Sequence, residues 1–500
     1  MTLVQNFPFA AIMMCLAGGV TCAALKPRIA RILALTLNIL IAGMMAAVLS
    51  QTVSTGESYR YMMGHFPAPW GNEIRIGPLE ALMALMFPLL TAVILAGGMQ
   101  NILEDVEPGK TRLYAAVICL MTASLLALTF TNDLFTAYVF VEINTLTSCA
   151  LVMVRYRSGM ALSAAIRYLI MSLLGSGLFL IGLVILYDIT GHLLMEPIGS
   201  AVRTLADTGE YAFPLTITLG LFSVGLALKS ALWPFSTWLP DAHASATTAS
   251  SGILSGLVLK GYIILLIKMI YRMMGLELVA AEGVIKLLFA MGIGAMIAGS
   301  LYALREKDIK RMLAYSSIAQ VGYIFAGIGL GTEAGMVSAC IQILVHAVTK
   351  PLLFCAAGNM ASQAGGGHRF DQLRGMGRRN PLLGIAFAAG ALSMIGIPLF
   401  AGFATKYYLC QAAIRAAGVK GILTLAAVVV STVLNALYYI PALQILFDRE
   451  PEAAKAVRAP GRSAALTAAA VVVFLALQFG LGFFFSRIAG IITTGLKTLI

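Results

Sequence analysis

Long apolar stretches alternate with short polar connections along the whole chain. A helix needs about 20 mostly apolar residues to cross a hydrocarbon core about 30 Å thick, and these stretches reach that length. The pattern predicts a single membrane domain, residues 1–500, of the all-α, polytopic class, with fourteen transmembrane helices. The predicted spans are 6–25, 29–50, 76–98, 112–131, 133–154, 163–187, 212–245, 249–271, 284–303, 312–330, 334–360, 382–411, 420–446 and 464–485.

The seventh and the twelfth predicted spans are interrupted by proline. Pro234 and Pro240 fall in the seventh span, and Pro398 falls in the twelfth between two glycines. A proline inside a helix removes a backbone donor and clashes with the preceding turn. The carbonyl groups that lose their partners must then be satisfied by side chains, water or neighbouring helices. Each break is therefore predicted to lie in a polar pocket at membrane depth.

The two broken spans lie five spans apart, which predicts an internal duplication. Broken helices at matching places in two halves are typical of inverted repeats that carry an ion path at the breaks. The first five-helix repeat is predicted at about 112–271, and the second at about 284–446.

Composition and charge agree with a membrane protein. Hydrophobic residues make up 60% of the chain and charged residues 11%, and the mean hydropathy is +0.90. The net charge of +12 is explained by Lys and Arg in cytoplasmic loops rather than by nucleic-acid binding. If the N-terminus lies outside, the inward loops hold most of the basic residues, which predicts both termini on the outer face. This assignment includes Arg157, Lys455, Arg458 and Arg462 in inward loops and Lys268 and Arg272 in an outward loop.

Nothing in the sequence indicates a cofactor or a metal site. The seven cysteines are scattered singly, without a CxxC pair or a Cys/His cluster. Neither a phosphate-binding loop nor a dinucleotide fingerprint is present. The first apolar segment has no charged region before it, so it is predicted to be a retained helix rather than a cleaved signal.

Glu142, Lys229, Lys260, Lys350 and Lys406 fall inside predicted spans. A charge at the centre of a bilayer costs about 2.5–3.5 kcal/mol even on the lenient insertion scale. Burial favours the neutral form of lysine and a nearby carboxylate favours the charged form, so movement of a carboxylate can switch the proton on a lysine. These residues therefore indicate a proton or ion path. The alternatives are snorkelling near a helix end and structural ion pairs.

Other polar residues adjoin these charges. His346 and Lys350 are spaced i,i+4, which puts both on one helix face. His346 is either a proton relay or a hydrogen-bond donor to a backbone carbonyl. Asp241 and His243 follow the first break and either cap the helix or line a water path. Lys310 belongs either to the path or to the positive charge of an inner loop.

Six motifs in order resemble one known superfamily. They are FVEINTLTSCALV, LKSALWPFSTWLPDAHASA, SGILSGLVLKGY, LREKDIKRMLAYSSIAQVGYI, LVHAVTKPLLF and GIPLFAGFATKYYL. Together they resemble the antiporter-like subunits of the complex I superfamily, which includes complex I, group 4 membrane-bound hydrogenases and Mrp-type cation/proton antiporters. The resemblance runs from about residue 76 to 450. It implies fourteen helices with two inverted five-helix repeats.

The resemblance also implies roles for the charged residues. Glu142 and Lys229 would form the first ion pair and the input gate, and Lys260 would be the central relay. His346 would link the two halves, and Lys406 would be the relay on the exit side.

The branch of the superfamily is less sharply indicated. The sequence PDAH resembles the complex I and hydrogenase members, whereas the following ASATTASSG lacks their usual Ala-Pro pair. The prediction favours a proton-translocating subunit of a hydrogenase-type or related respiratory complex in a prokaryotic cell membrane. Its partners would be further antiporter-like chains and a redox arm with iron–sulfur centres. The alternatives are a subunit of an Mrp-type Na+/H+ antiporter, complex I itself, a stand-alone solute transporter, and a structural subunit with an inactive path.

Overall fold

The computed structural model describes residues 3–66, 71–156, 159–209, 211–276, 279, 283–449 and 463–499. Helices dominate this part of the chain. They are α1 Phe7–Ala24, α2 Pro27–Thr55, α3 Pro78–Gly97, α4 Met99–Asp105, α5 Thr111–Phe130, α6 Leu134–Met153, α7 Gly159–Thr190, α8 Met195–Thr208, α9 Ala212–Lys229, α10 Leu239–Ser245, α11 Thr248–Met274, α12 Gly283–Arg305, α13 Ile309–Gly329, α14 Glu333–Gln363, α15 Met376–Arg379, α16 Pro381–Ile395, α17 Ala401–Ala416, α18 Gly418–Leu446, α19 Ala464–Phe483 and α20 Phe485–Lys497.

Smaller elements complete the described chain. Helix α11 contains two π-helical turns, Leu254–Val258 and Ile270–Met274. The short 3-10 turns are Leu3–Asn6, Met63–His65, Pro108–Lys110 and Phe370–Leu373. A hairpin between α2 and α3 pairs strand β1 (Tyr59–Met62) with β2 (Glu73–Ile76) in antiparallel register, with Tyr59 opposite Ile76.

The predicted all-α membrane architecture is confirmed. Among the described residues, 13 helices are long and apolar enough to cross a membrane. The twelfth predicted span is the additional one, because it is divided into the shorter helices α16 and α17. The basic residues Arg157, Lys455, Arg458 and Arg462, assigned above to inward loops, lie outside the described residues.

The first break separates α9 from α10. Helix α9 ends at Lys229, and α10 begins at Leu239. Pro234 lies between them, and its peptide bond with Trp233 is cis. Contrary to the prediction, Pro240 does not interrupt a helix. It lies in the first turn of α10, where a backbone N–H has no helical partner. The break is thus a loop, and Pro240 helps to begin the helix that follows it.

The second break separates α16 from α17 and contains Pro398, as predicted. Helix α16 ends at Ile395, and the φ of +92° at the following Gly396 lies in the left-handed region that glycine adopts readily. A Cβ on this glycine would lie 2.7 Å from Cδ of Lys406. Gly396 is therefore needed both for the turn and for room beside the lysine.

Small residues bring the membrane helices into backbone contact. A Cβ on Gly175 of α7 would lie 2.7 Å from the carbonyl oxygen of Gly225 on α9. On α12, a Cβ at Gly292 or Gly299 would lie 2.6 Å from a backbone nitrogen of α13. Close approach of this kind is typical of helix packing in lipid, where no hydrophobic force draws helices together.

Helices α11 and α14 lie at the centre of the bundle. The most apolar stretch of each of these two helices is completely buried. In α1, α7 and α19, most residues of the corresponding stretch are not buried. The π turn of α11 packs against the interior proline of α14, since a Cβ on Gly256 would lie 2.5 Å from Cγ of Pro351. These two enclosed helices carry Lys260 and His346.

The assignment of Lys268 and Arg272 to an outward loop is wrong. Both lie inside α11, which continues to Met274, and both are buried. A lysine and an arginine within four residues resemble a loop, but buried acceptors from α3, from the last turn of α5 and from the segment after it hold them inside the protein.

Candidate functional site

The first titratable cluster joins α6 to the end of α9. Nζ of Lys229 donates to Oγ1 of Thr145 over 2.7 Å, and it lies 5.4 Å from the ring centre of Tyr262. Glu142 lies one turn before Thr145 on α6 and is partly buried. Among the described residues no ion pair joins Glu142 to Lys229 within 4.0 Å. The structure thus brings the predicted pair into one region but gives the lysine a hydroxyl partner instead.

The end of α9 suits a buried ammonium group. Lys229 is its last residue, where the carbonyl ends of the helix carry partial negative charge. Its side chain passes over Gly175, where an added Cβ would lie 3.0 Å from Cγ of the lysine. The contact of α7 with α9 therefore leaves room for the lysine only because position 175 has no side chain.

The second cluster joins the two enclosed helices. Nζ of Lys260 lies 2.6 Å from Nδ1 of His346, and both residues are fully buried. Lys260 also donates to the backbone carbonyl of Ser255, which lies in the π turn of α11. π turns are frequent at functional sites because they shift backbone hydrogen bonds out of the regular pattern. Direct contact of a lysine with a histidine allows one proton to pass between them without an intervening group.

His243 and Lys350 lie deep in the same central region. Neither ring nitrogen of His243 has a hydrogen-bond partner among the described residues, and its ring stacks on Phe354 at 5.1 Å. Nζ of Lys350 donates to the carbonyl of Leu313 over 3.0 Å and lies 3.3 Å from the hydroxyl of Tyr439. His243 does not cap α10 through its side chain. Lys350 is satisfied by acceptors from α13 and α18.

The third cluster lies at the second break. Nζ of Lys406 donates to Oγ1 of Thr432 over 2.7 Å and to the backbone carbonyl of Ile395, the last residue of α16. Tyr323 lies beside it, with its ring centre 5.7 Å from the amine. The freed carbonyl at the end of α16 is therefore satisfied by the lysine of the following half-helix, as broken membrane helices require.

Asp241 links three helices at one end of the bundle. Its two carboxylate oxygens accept from Nη1 of Arg167 and Nη1 of Arg311, each over 2.8 Å. The cleft that contains these side chains has a volume of about 210 Å³. Lys310 is buried nearby and donates to the carbonyl of Ala246 over 3.1 Å. Asp241 is thus an ion-pair partner, and Lys310 caps the C-terminus of α10.

The segments beside Lys310 hold further titratable groups. Asp105 pairs with Arg155 over 3.5 Å, and burial raises the pKa of Asp105 against the opposing effect of that arginine. Burial together with the positive charges of Lys310 and Arg155 lowers the pKa of His368 to about 3. His368 is therefore neutral over the physiological range.

A buried charge cluster at the other end was not predicted from the sequence. Arg272 forms an ion pair with Glu80, and its Nη1 donates to Oδ1 of Asn132 over 3.0 Å. Lys268 donates to the backbone carbonyls of Thr129 and Thr131 over 2.7 and 2.6 Å. Thr129 lies in the last turn of α5 and Thr131 directly follows that helix, so Lys268 caps its C-terminus. The hydrogen bonds satisfy most of the charge, which indicates a structural role.

Metal binding has no support in the described residues, since no group of three or more His, Cys, Asp and Glu residues there is arranged to hold an ion. The clusters offer single titratable groups, and hydrogen bonds join them only in part. No hydrogen bond connects Lys229 with Lys260 among the described side chains. Such an arrangement suits stepwise proton transfer with transient hydration.

Comparisons with known proteins agree with this geometry. Residues 131–435 match the family described as NADH:quinone oxidoreductase/Mrp antiporter, TM. The NADH-quinone oxidoreductase subunit N of Desulforudis audaxviator (strain MP104C) is 34% identical over 414 residues, covering 82% of this chain and 79% of that protein.

Two solved structures have the same fold over nearly the whole chain. A chain of the membrane-bound sulfane sulfur reductase, an archaeal respiratory membrane complex, superposes with a TM-score of 0.85 at 25% identity, covering 98% of this chain and 97% of that one. A chain of the Mrp complex from Dietzia sp. DQ12-45-1b gives a TM-score of 0.87 at 23% identity, covering 100% and 98%. The predicted fold class is thereby confirmed. This chain belongs to the NADH:quinone oxidoreductase/Mrp antiporter family of multi-pass, antiporter-like membrane subunits.

Proposed function

We propose that this subunit carries protons across the membrane through its buried titratable residues. The observation that carries the proposal is the direct contact of Lys260 with His346, on the two helices whose most apolar stretches are completely buried. Burying these groups is costly, and a stable fold alone would be served as well by apolar residues of similar size. Proton exchange between these groups would explain why the protein bears the energetic cost of burying them.

The path begins at Glu142 and Lys229, continues through Lys260 and His346, and ends at Lys406. His243 and Lys350 line its central part, and the unpaired ring nitrogens of His243 support transient hydration there. Asp241 and Lys310 hold the short helix α10 in place beside the path. The two five-helix repeats, about 112–271 and 284–446, each contribute one half.

Gating depends on the two side chains, Thr145 and Glu142, that can bind the amine of Lys229. In this structure its amine is held by Thr145, one turn from Glu142 on the same helix. A carboxylate favours the charged lysine, and a hydroxyl favours it less. Movement of the amine between these two partners changes its proton affinity. A ligand or a neighbouring subunit that favours one position would then drive transfer.

The energy comes from other subunits of a larger complex. The relative from Desulforudis audaxviator is named as a subunit of an NADH-quinone oxidoreductase, and the sulfane sulfur reductase is a respiratory membrane complex. We infer a hydrogenase-type or related respiratory complex, with further antiporter-like chains and a redox arm that holds iron–sulfur centres. Its place is the cell membrane of a prokaryote, with both termini on the outer face.

The test is proton uptake by inside-out membrane vesicles that contain the intact complex, energised with NADH or with dihydrogen. Lys260→Met is compared with Lys286→Met, which changes an exposed lysine on α12. At equal assembly, Lys260→Met is expected to lose pumping and Lys286→Met to keep it. Equal pumping by both variants would refute the proposal. Uptake that depends on added sodium and not on electron transfer would instead favour an Mrp-type Na+/H+ antiporter.

A further inference from the structure

A row of buried hydroxyl groups begins at Lys350 and runs toward the second break. Nζ of Lys350 lies 3.3 Å from the hydroxyl of Tyr439, and that hydroxyl lies 2.9 Å from Oγ of Ser316. The hydroxyl of Tyr438 lies 3.0 Å from the same serine and 2.7 Å from Oδ1 of Asn435. All of these residues are buried. Three hydroxyl groups in direct contact therefore connect a lysine to an amide.

The row ends beside Lys406. Nδ2 of Asn435 donates to the carbonyl of Met394 over 3.2 Å, and the next carbonyl, of Ile395, accepts from Lys406. Thr432, the hydroxyl partner of Lys406, lies one turn before Asn435 on α18. Residues three apart on a helix are surface neighbours. The distance left between Asn435 and the Lys406 cluster is thus about one helical turn.

We propose that Tyr439, Ser316 and Tyr438 are relay residues that pass a proton from Lys350 toward Lys406, and that Asn435 holds this relay closed. The proposal rests on the proposed proton path and names the residues of its second half. It explains why Tyr438 and Tyr439, which are adjacent on α18, both contact Ser316.

The transfer leaves the proton count of each relaying hydroxyl group unchanged. The ammonium of Lys350 gives a proton to the oxygen of Tyr439, which releases its own proton to Ser316. Ser316 releases its proton to Tyr438 in the same way, and Tyr438 gives one to the acceptor beyond it. Hydroxyl groups suit these steps because each one both accepts and donates a hydrogen bond. Lys350 ends neutral, and reorientation of the hydroxyl groups resets the row.

Asn435 stops the transfer for a chemical reason. Its Oδ1 only accepts hydrogen bonds, and its amide nitrogen only donates them. A proton that reaches Tyr438 thus has no group to receive it while that hydroxyl points at Oδ1. The last step requires Asn435 to move aside, so that water or Thr432 meets Tyr438. A closed relay of this kind prevents leakage while keeping most of the path assembled.

The first experiment measures protons pumped per electron in vesicles that contain the intact complex. Tyr439→Phe, Tyr438→Phe and Ser316→Ala each remove one hydroxyl and keep most of the side-chain shape. Each is expected to lower pumping by at least about tenfold, as loss of a positioned proton donor does. Tyr302→Phe removes an exposed hydroxyl on α12 and is expected to pump normally. Ser316→Thr restores a hydroxyl and should restore pumping.

Lys260→Met is measured in parallel to separate this proposal from the proposed function. If Lys260→Met stops pumping while the assembled tyrosine and serine variants pump normally, the relay is wrong and the proton path stands. If Lys260→Met also pumps normally, the proton path fails, and the relay fails with it.

A second experiment tests Asn435 without electron transfer. Asn435→Asp puts a group that accepts and releases protons at the closed end. Passive proton conductance of the vesicles is expected to rise severalfold over the native value, while Asn380→Asp, at the start of α16, leaves it unchanged. Unchanged conductance in Asn435→Asp would overturn the assignment of Asn435 as the closing residue.

Discussion

Nζ of Lys260 lies 2.6 Å from Nδ1 of His346, where α11 meets α14. Two cations at that distance would repel strongly inside a protein, so the pair holds at most one extra proton. Lys260 belongs to the first half of the chain and His346 to the second. The contact therefore makes protonation of one half depend on the state of the other, so that in the proposed path protons would cross the centre one at a time.

Thr145→Val is expected to impair both stability and transport. It removes the hydroxyl that accepts from Lys229 and leaves a buried amine without this partner. Loss of such a partner costs about 1–3 kcal/mol, which the thermal midpoint of the purified complex would report. Proton pumping should fall as well, and Thr145→Ser should restore both. Normal pumping by Thr145→Val would show that the hydroxyl does not take part in gating.

Glu142→Gln is expected to slow pumping without disturbing assembly. The change keeps the shape of the side chain but removes the only charge that attracts Lys229 from α6 among the described residues. Pumping should fall by roughly tenfold or more, and its pH dependence should change. Glu57→Gln, at an exposed position before β1, is the matched control. If Glu142→Gln pumps with the native rate and pH profile, the proposed coupling of Glu142 to Lys229 is wrong.

The pair of Arg272 with Glu80 is expected to matter for stability only. Arg272→Met leaves a buried carboxylate uncompensated, which costs roughly 3–5 kcal/mol and should lower the yield of assembled complex. The double change Glu80→Leu with Arg272→Met removes both charges and should recover most of that loss. Pumping per assembled complex should stay normal in both variants. An assembled Arg272→Met complex that cannot pump would place this cluster on the proton path.

His368 is expected to make the native state sensitive to acid. Its pKa is lowered to about 3 in the folded chain, against about 6.5 when unfolded. Between these values the unfolded state binds more protons, so stability falls as the pH decreases through that range. His368→Gln should therefore show a smaller drop in thermal midpoint between about pH 7.5 and about pH 5 than the native protein. His192→Gln, at an exposed position, should behave like the native protein. An equal drop in His368→Gln would contradict the assignment.

The membrane spans could be predicted because length and apolar composition alone determine them. Pro398 with its flanking glycines also located the second break. The predicted span for α11 is too short at its C-terminal end, because Lys268 and Arg272 resemble a loop when their buried acceptors are unknown. The glycine that ends the helix at position 275, with a φ of +79°, was the available signal.

The contacts of the charged residues could not be predicted in the same way. The resemblance implies an ion pair of Glu142 with Lys229, but the position of Thr145 one turn away decides which group holds the amine. Tyr438 and Tyr439 are adjacent aromatic residues near a helix end, a pattern typical of a membrane interface. Only the packing of α18 against α13 turns them toward Ser316.

The most direct test is the number of protons pumped per electron by vesicles with the intact complex, native or Lys229→Ala, at equal assembly. Lys229 lies at the beginning of the proposed path and far in sequence from the stabilising charge cluster at Arg272. We expect Lys229→Ala to assemble and to lose pumping through this chain. Normal pumping by the assembled variant would mean that protons cross through another subunit and that this chain is a scaffold.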